Sequence, residues 1–528
     1  MTDKPYENTA DKATDGGAGA GANADAGASV SAGAGANAGA SAGTSAGTGA
    51  SQFHSVTLDS EKCKGCINCI KRCPTQAIRV RNGKAYIINE RCIDCGECIR
   101  VCQNHAKLPI YDPLSAMDNY KYRVALPAPA LYGQFNHLDE IDIVLNALKS
   151  FGFDDVFEVA KAAEIVSDRT RSMMEEDSDL PRPLIGSACP AIVRLIRIRF
   201  PGLIKNLLPL KAPIELAARM ALKKAMEARP ELERGEIGII FISPCAAKVT
   251  ATRSPQDGEA SEVDAVFAIK DIYPHLLKHM KQVAQANSEE MPAIVSAGRM
   301  GISWCGSGGE STALLSENYL AADGIENVIN VLEDLEDDKL GELDFIELNA
   351  CSAGCVGGIL TVENAYVAVS RIKKLRRFMP VSLNHYSSDV QHQIGWEKSL
   401  APEQIMKLSD DYNEALVKMN QMYKLIEELP GLDCGSCGAP TCEALAEDVV
   451  RGLASENDCI FKLRDHVHSL MRDIVKLEGY IPPPFRSGLA DAQNGQADGQ
   501  DGKTDGQSEQ DDGQDDGQDT LADGQDGR

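Results

Sequence analysis

The chain has 528 residues, 43% of them hydrophobic, which is room for roughly two to four domains with substantial cores. Its net charge of −25 argues against nucleic-acid binding, which needs clustered Lys and Arg to meet phosphates, and no run of apolar residues is long enough for a membrane span. Seventeen cysteines, with no basic-then-apolar leader ahead of them, point to metal ligation in a reduced, cytoplasmic compartment rather than to disulfides.

In chain order, residues 1–52 form an Ala/Gly/Ser-rich tract that cannot bury enough apolar surface to offset its ordering entropy, so a disordered tail is expected. Residues 53–112 are short and cysteine-dense. Residues 113–395 alternate strand-like runs ("YRVALPAPA", "RPLIGSACP", "EIGIIFISPC", "VDAVFAI", "LDFIELNAC") with helical stretches such as "IELAARMALKKAMEA". That alternation predicts an α/β domain with largely parallel strands, whose carboxyl ends gather the functional residues. Residues 396–485 read as helices around a last cysteine group, and 486–528 as a disordered acidic Asp-Gly-Gln tail. The expected fold class is therefore multidomain, α+β and α/β. Two helical seams step by three and four: Ile405, Leu408, Tyr412, Ala415, Met419, Met422, Ile426, Leu429, then Ile460, Leu463, Val467, Leu470, Ile474, Leu477. Such seams pack on each other or the body of the protein, or on a partner, a homodimer included.

"CKGCINCIKRCP" holds Cys63, Cys66, Cys69 and Cys73, and "CIDCGECIRVC" repeats the spacing with Cys92, Cys95, Cys98 and Cys102. Three evenly spaced cysteines wrap one iron-sulfur cube and the fourth reaches the other. On that logic Cys63, Cys66, Cys69 and Cys102 hold one [4Fe-4S] cluster and Cys92, Cys95, Cys98 and Cys73 hold a second. Zinc would favour two CxxC pairs across a longer loop. Cys434, Cys437, Cys442 and Cys459 follow C-x2-C-x4-C-x16-C, which fits a third cube and resembles the small iron-sulfur domain of electron-transfer subunits and corrinoid proteins.

Five cysteines remain: Cys189 in "SACP", Cys245 in "SPCAAK", Cys305 in "SWCGSGGE", and Cys351 and Cys355 in "IELNACSAGCVGG". Four sit in separate strand-end motifs, as the parts of an assembled site do. Lys248, three residues past Cys245, brings a cation suited to an anionic cofactor ligand. Cys305 reads as a buried structural thiol, with a redox or proton-handling role as the alternative, and "GSGGE" lacks the Lys-Ser/Thr ending of a phosphate loop.

From about Phe53 to Val367, including "FGFDDVFEVAKAAE", these motifs resemble the ferredoxin module and the three active-site signatures of [FeFe]-hydrogenases. The resemblance implies that Cys189, Cys245, Cys351 and Cys355 hold a [4Fe-4S] cube and that Cys355 also bridges to a diiron unit carrying CO, cyanide and a dithiolate. Lys248 would hydrogen-bond a cyanide, and the whole H-cluster would interconvert H2 with protons and electrons. There are departures. Ala188 stands where prototypical members place a proton-delivering cysteine, Ser243 and Asn349 replace two methionines, and Ala251 replaces a glutamate. The acids of "SDRTRSMMEE" show no matching register with the family's relay carboxylates. Losing a relay slows turnover by about 10²–10⁴-fold without abolishing cofactor binding. With the cysteine domain behind it, the chain resembles the sensory branch of that family. This implies slow, reversible chemistry, a redox partner such as ferredoxin, dedicated maturation proteins, and a signalling phosphatase or kinase as partner. The alternatives are an ordinary ferredoxin-linked hydrogenase and a non-catalytic electron-transfer or assembly protein that lacks the diiron unit.

Overall fold

The computed structural model describes residues 52–480 except 178, 286–291, 388–389, 404, 406 and 479. The tails expected at 1–52 and 486–528 thus lie, apart from Gln52, outside the described residues.

The first ordered segment is built from two antiparallel pairs. Strand β1 (Val56–Leu58) pairs with β4 (Lys107–Pro109), while β2 (Ile78–Arg81) and β3 (Lys84–Ile87) form a hairpin. Asn82 and Gly83 turn that hairpin at φ of 52° and 72°, the left-handed geometry that matches strand twist and that these two residue types adopt at low cost. Single-turn helices at Asn68–Lys71 and Glu97–Arg100 carry Cys69 and Cys98.

The large segment holds two parallel sheets. One orders β5 (Tyr122–Pro127), β6 (Asp155–Val156), β8 (Ile237–Ser243) and β9 (Ala265–Ala268) as β6-β5-β8-β9. The other orders β7 (Leu184–Ile185), β10 (Tyr319–Asp323) and β11 (Phe345–Asn349) as β10-β11-β7. All seven residues of β8 are buried, because helices cover both faces of a parallel sheet and its strands become continuous apolar runs. The helix Val159–Glu176 packs in the same apolar layer as the helix Pro213–Ala228 through Ala162, Ile165 and Val166. The class is mixed α/β with a ferredoxin-type segment in front, as the sequence predicts. Two details differ. "RPLIGSACP" forms only the two-residue β7, since Gly186 onward leaves the sheet to deliver Cys189, and the sequence reading did not single out the two-residue β6 or the half-buried β10.

In the last segment the first seam is shorter than its periodicity. Asp411 caps the helix Tyr412–Glu428 by accepting from Glu414 N, so Ile405 and Leu408 lie before it. Met422, Leu425, Ile426 and Leu429 pack on the helix Cys442–Val450. The second seam, on Ile460–Glu478, packs on nothing among the described residues, and its apolar positions run from 39% exposed at Val467 to 70% at Leu477.

Candidate metal centres

Strand ends deliver the thiols. Cys189 and Cys245 stand at the N-cap positions of the helices Pro190–Arg199 and Ala246–Arg253, just past β7 and β8, and Cys351 follows β11. Pro190 opens its helix where a backbone N–H would be unpaired in any case. The turn to Cys355 needs Gly354, at φ 84°, because a Cβ there would lie 2.7 Å from Ser307 N.

Cys189, Cys245, Cys351 and Cys355 come close enough for their charges to interact. Burial pushes the Cys245 thiol up to about 11 and Cys351 higher still, so neither ionises without a cation to receive it. Lys248 Nζ lies 3.5 Å from Cys355 Sγ. Burial opposes its charge, yet the sulfurs of Cys355, Cys245 and Cys189 hold its pKa above the usual lysine value. Beyond Cys355 opens a small cavity of about 60 Å³ with largely apolar walls (Pro129, Val159, Phe241, Trp304). Lys248, Ala188, Asn349, Cys305, Glu310 and Glu347 also line it.

Ala188 and Asn349 line the cavity. Ser243 does not line it. The fully buried Ser243 hydroxyl donates to Cys245 O at 3.0 Å and accepts from Cys245 N at 3.2 Å, bracing the turn that carries the thiol. Cys305 is buried and donates to Ile302 O at 3.2 Å, as a structural thiol does, while also touching the cavity. Two acids, Glu158 just before the helix Val159–Glu176 and Glu164 within it, are tied up structurally. Glu158 accepts from Tyr132 Oη and Ser296 N, and Glu164 from the backbone of Gly298, Leu383 and Asn384. Sequence reasoning passed over Glu310 and Glu347. The signal was present in "FIELN", a carboxylate inside a buried strand, and in the acid that closes "GSGGE".

The ferredoxin-type thiols fall into the two crossed sets. Cys73, Cys92, Cys95 and Cys98 line one small cavity. Cys69 is surrounded by Cys63, Cys66 and Cys102, and burial pushes its thiol up to about 11. Backbone N–H groups of Ala77, Ala85 and Ala106 donate to the sulfurs of Cys73, Cys63 and Cys102 at 3.2, 3.4 and 3.3 Å. The Lys107 ammonium is buried beside these thiols with no hydrogen-bond partner among the described residues, an orphaned cation that an anionic thiolate-bound cluster would satisfy. In the last segment Cys437, Cys442 and Cys459 share one apolar cluster, and Cys434 and Cys459 both act on the Cys437 thiol.

The three segments meet through specific contacts. Arg100 Nη2 donates to Gly357 O at 2.9 Å, and Gly96 packs on Ile359, which joins the Cys92–Cys98 loop to the residues just after Cys355. On the other side of the first segment, Asp448 accepts from Arg79 Nε and Arg81 Nη2, both at 2.7 Å, and Arg91 pairs with Glu447.

Comparison with known proteins finds matches in all three segments. Residues 121–359 match the family described as iron only hydrogenase large subunit, C-terminal domain; residues 55–103 match a 4Fe-4S dicluster domain, and 429–461 an Fe-S cluster domain. The chain is 25% identical over 437 residues to iron hydrogenase 1 of Clostridium pasteurianum, covering 70% of this chain and 73% of that one. It is 24% identical over 264 residues to the NADP-reducing hydrogenase subunit HndD of Solidesulfovibrio fructosivorans, covering 43% of this chain and 44% of that one. A solved [FeFe]-hydrogenase from Chlamydomonas reinhardtii aligns at TM-score 0.40 and 14% identity, covering 54% of this chain and 95% of that one.

Proposed function

We propose that this chain is an [FeFe]-hydrogenase-like protein with iron-sulfur domains at both ends, that it interconverts H2 with protons and electrons slowly and reversibly, and that it reports hydrogen as a sensor. The observation that carries the reading is the cavity beyond Cys355: a largely apolar space with one cation, Lys248, at the thiol of Cys355, and a methyl group, Ala188, where a proton donor is expected.

The residues fit the implied groups. Cys189, Cys245, Cys351 and Cys355 would hold a [4Fe-4S] cube, with Cys355 shared toward a diiron unit in the cavity. Cys63, Cys66, Cys69 and Cys102, then Cys73, Cys92, Cys95 and Cys98, then Cys434, Cys437, Cys442 and Cys459 would hold three more cubes. When bound, the diiron unit supplies the centre at which H2 is divided. The chain supplies the surroundings. Lys248 offers a buried N–H donor and a compensating charge to an anionic ligand such as cyanide. Pro129, Phe241 and Trp304 give the cavity apolar walls, which strengthen charge interactions inside. Ala188 carries no proton, so transfer between cavity and solvent is slowed, which suits reporting better than bulk turnover. Electrons have a route from the cavity to the ferredoxin-type thiols through the Gly357 contact with Arg100, and from there toward the last segment through the Asp448 contacts. Maturation proteins, a ferredoxin-like acceptor and a phosphatase or kinase that reads the output complete this reading.

The test is the infrared spectrum of anaerobically matured protein. Metal-bound CO and cyanide stretches that shift under H2 are expected, with turnover far below that of a cysteine-bearing relative. If maturation works on a control hydrogenase and all cubes are present, absent bands leave an electron-transfer or assembly protein instead.

A further inference from the structure

We propose that a basic groove beside the Gly306–Gly309 turn binds a small phosphoanion: a pyrophosphate group, free or carried by a nucleoside diphosphate. Nothing in this proposal depends on how the cavity beyond Cys355 is filled. The groove has two lobes, which share Ser303, Gly309, Thr312, Lys373 and Arg376. Their volumes are about 350 and 260 Å³, and together they fall in the range of small-molecule sites. Arg299 and Arg377 line the wider lobe, Lys373 and Arg376 line both, and no Asp or Glu lines either. Four cations thus gather without an acid in a chain whose net charge is −25.

The cations come from separate elements. Arg299 opens the short helix Arg299–Ser303, Lys373 lies in the last turn of the helix Ala365–Leu375, and Arg376 and Arg377 lie in the turn that follows it. The negative end of a helix attracts cations, which accounts in part for Lys373, but Arg299 stands at the positive end of its own helix. Ion pairing does not account for them either. On the same helix Arg371 meets Glu363 at 2.7 Å and Lys374 meets Asp139 at 3.3 Å. Among the described residues Arg299, Lys373, Arg376 and Arg377 meet no carboxylate. Arg376 is held by its Nη1 donating to the Ser303 hydroxyl, and that hydroxyl donates to Arg299 O, so the two sides of the groove are tied together. One donor of the Arg376 guanidinium is used in this way, and the rest remain for a ligand.

Like charges along one groove repel one another and focus a positive potential, which a bound anion offsets. A halide or a single carboxylate carries too little charge to match four cations, whereas a pyrophosphate group carries several. Three of the four are Arg, whose planar forks donate paired hydrogen bonds to phosphate oxygens. Tyr319, Val369 and Ile372 give the second lobe an apolar wall, where a nucleoside would lie. The glycine turn itself is not a phosphate loop. Its N–H groups at Gly306, Ser307, Gly308 and Gly309 already donate to Ser303 O, Ala353 O, Glu347 and Gly306 O, so the cations carry the binding. Cys305 lines both the second lobe and the cavity beyond Cys355, whereas none of the four cations lines that cavity. The groove is a neighbour of the cavity and a separate site.

The test is calorimetric titration of the full-length protein, clusters in place and at low salt, with pyrophosphate, ADP and sulfate as probes. Pyrophosphate and ADP are expected to bind, with sulfate weaker by about tenfold or more, and Lys373→Gln and Arg376→Gln should each weaken both by about tenfold. Lys374→Gln removes a cation of the same helix that is already paired with Asp139, and it should leave binding within about twofold of the parent. ADP tighter than pyrophosphate makes the ligand a nucleotide, and ADP no tighter makes it the pyrophosphate group alone. The site is overturned if neither probe binds, if sulfate binds as tightly, or if Lys373→Gln and Lys374→Gln weaken binding alike, since that is a diffuse charge effect. Should Arg376→Gln fail to fold for want of its bond to Ser303, Lys373→Gln decides alone, because that side chain is exposed and unpaired among the described residues.

Discussion

Glu215, on the helix Pro213–Ala228, titrates unusually because of where it is placed. Burial pushes its carboxyl up to about 7 against the pull of Ser261, Arg219 and Lys211. The folded chain then keeps a proton that the unfolded chain loses near 4.5, so folding takes up a proton between about pH 4.5 and 7 and stability falls as pH rises through that window. Glu215→Gln removes the charge that must otherwise be buried. The variant is expected to match the parent near pH 4 and to exceed it by about 1–2 kcal/mol at pH 8, checked by melting midpoints across pH. A parent curve with no such slope would contradict the assignment. At this same scale Ala188, Asn349 and Lys248 were legible as cavity residues because a motif fixes their distance from a thiol. Glu310 was not, since a lone acid in a glycine turn carries no spacing to read.

At the scale of elements, the docking of the last segment rests on charges rather than apolar area. The Arg79 guanidinium is fully buried, and its Nε finds Asp448, 369 residues away. A buried ion pair adds little over a well-packed apolar contact, but removing one partner strands the other and costs about 3–5 kcal/mol. Asp448→Ala is therefore expected to loosen the helix Cys442–Val450 from β2. Hydrogen exchange should rise in both, and faster proteolysis is expected around 430, with the ferredoxin-type clusters still formed. Unchanged exchange would mean that the remaining contacts hold the segment: Arg91 with Glu447, Lys71 with Asp433 and Pro440, Arg81 with Cys437 O and Val80 N with Gly438 O. This contact explains what the sequence withheld. Cysteine spacing is legible because a cluster imposes local geometry, and strands and helices because their periods repeat. A pairing across hundreds of residues leaves no period. The seam of Ile460–Glu478 shows the limit from the other direction: its heptads are plain in the sequence, but among the described residues they stay exposed.

For the whole molecule, contacts place the ferredoxin-type segment between the Cys355 loop and the Cys434–Cys459 group. Its Cys92–Cys98 loop touches the residues after Cys355 through Arg100 and Gly96, whereas Lys71, Arg79, Arg81 and Arg91 face the last segment. If electrons follow packing, those released at the cavity reach the two ferredoxin-type centres first and the Cys434–Cys459 centre last. That centre would then be an outlet, next to the exposed helix Ile460–Glu478, and not an entry. Replacing Cys434 and Cys437 by Ser should remove one cube from the iron count. The remaining cubes should still be reduced by H2 at the parent rate, seen as reduced-cluster electron paramagnetic resonance signals of the ferredoxin-type pair. Were the last centre the entry instead, the pair would still fill under H2, but reduction of the cavity by an external protein donor would collapse in the variant. Measuring both directions in the same variant separates the two orders. A loss of H2-driven reduction at the pair would contradict either, because it would mean that the last segment lies between the cavity and the ferredoxin-type centres.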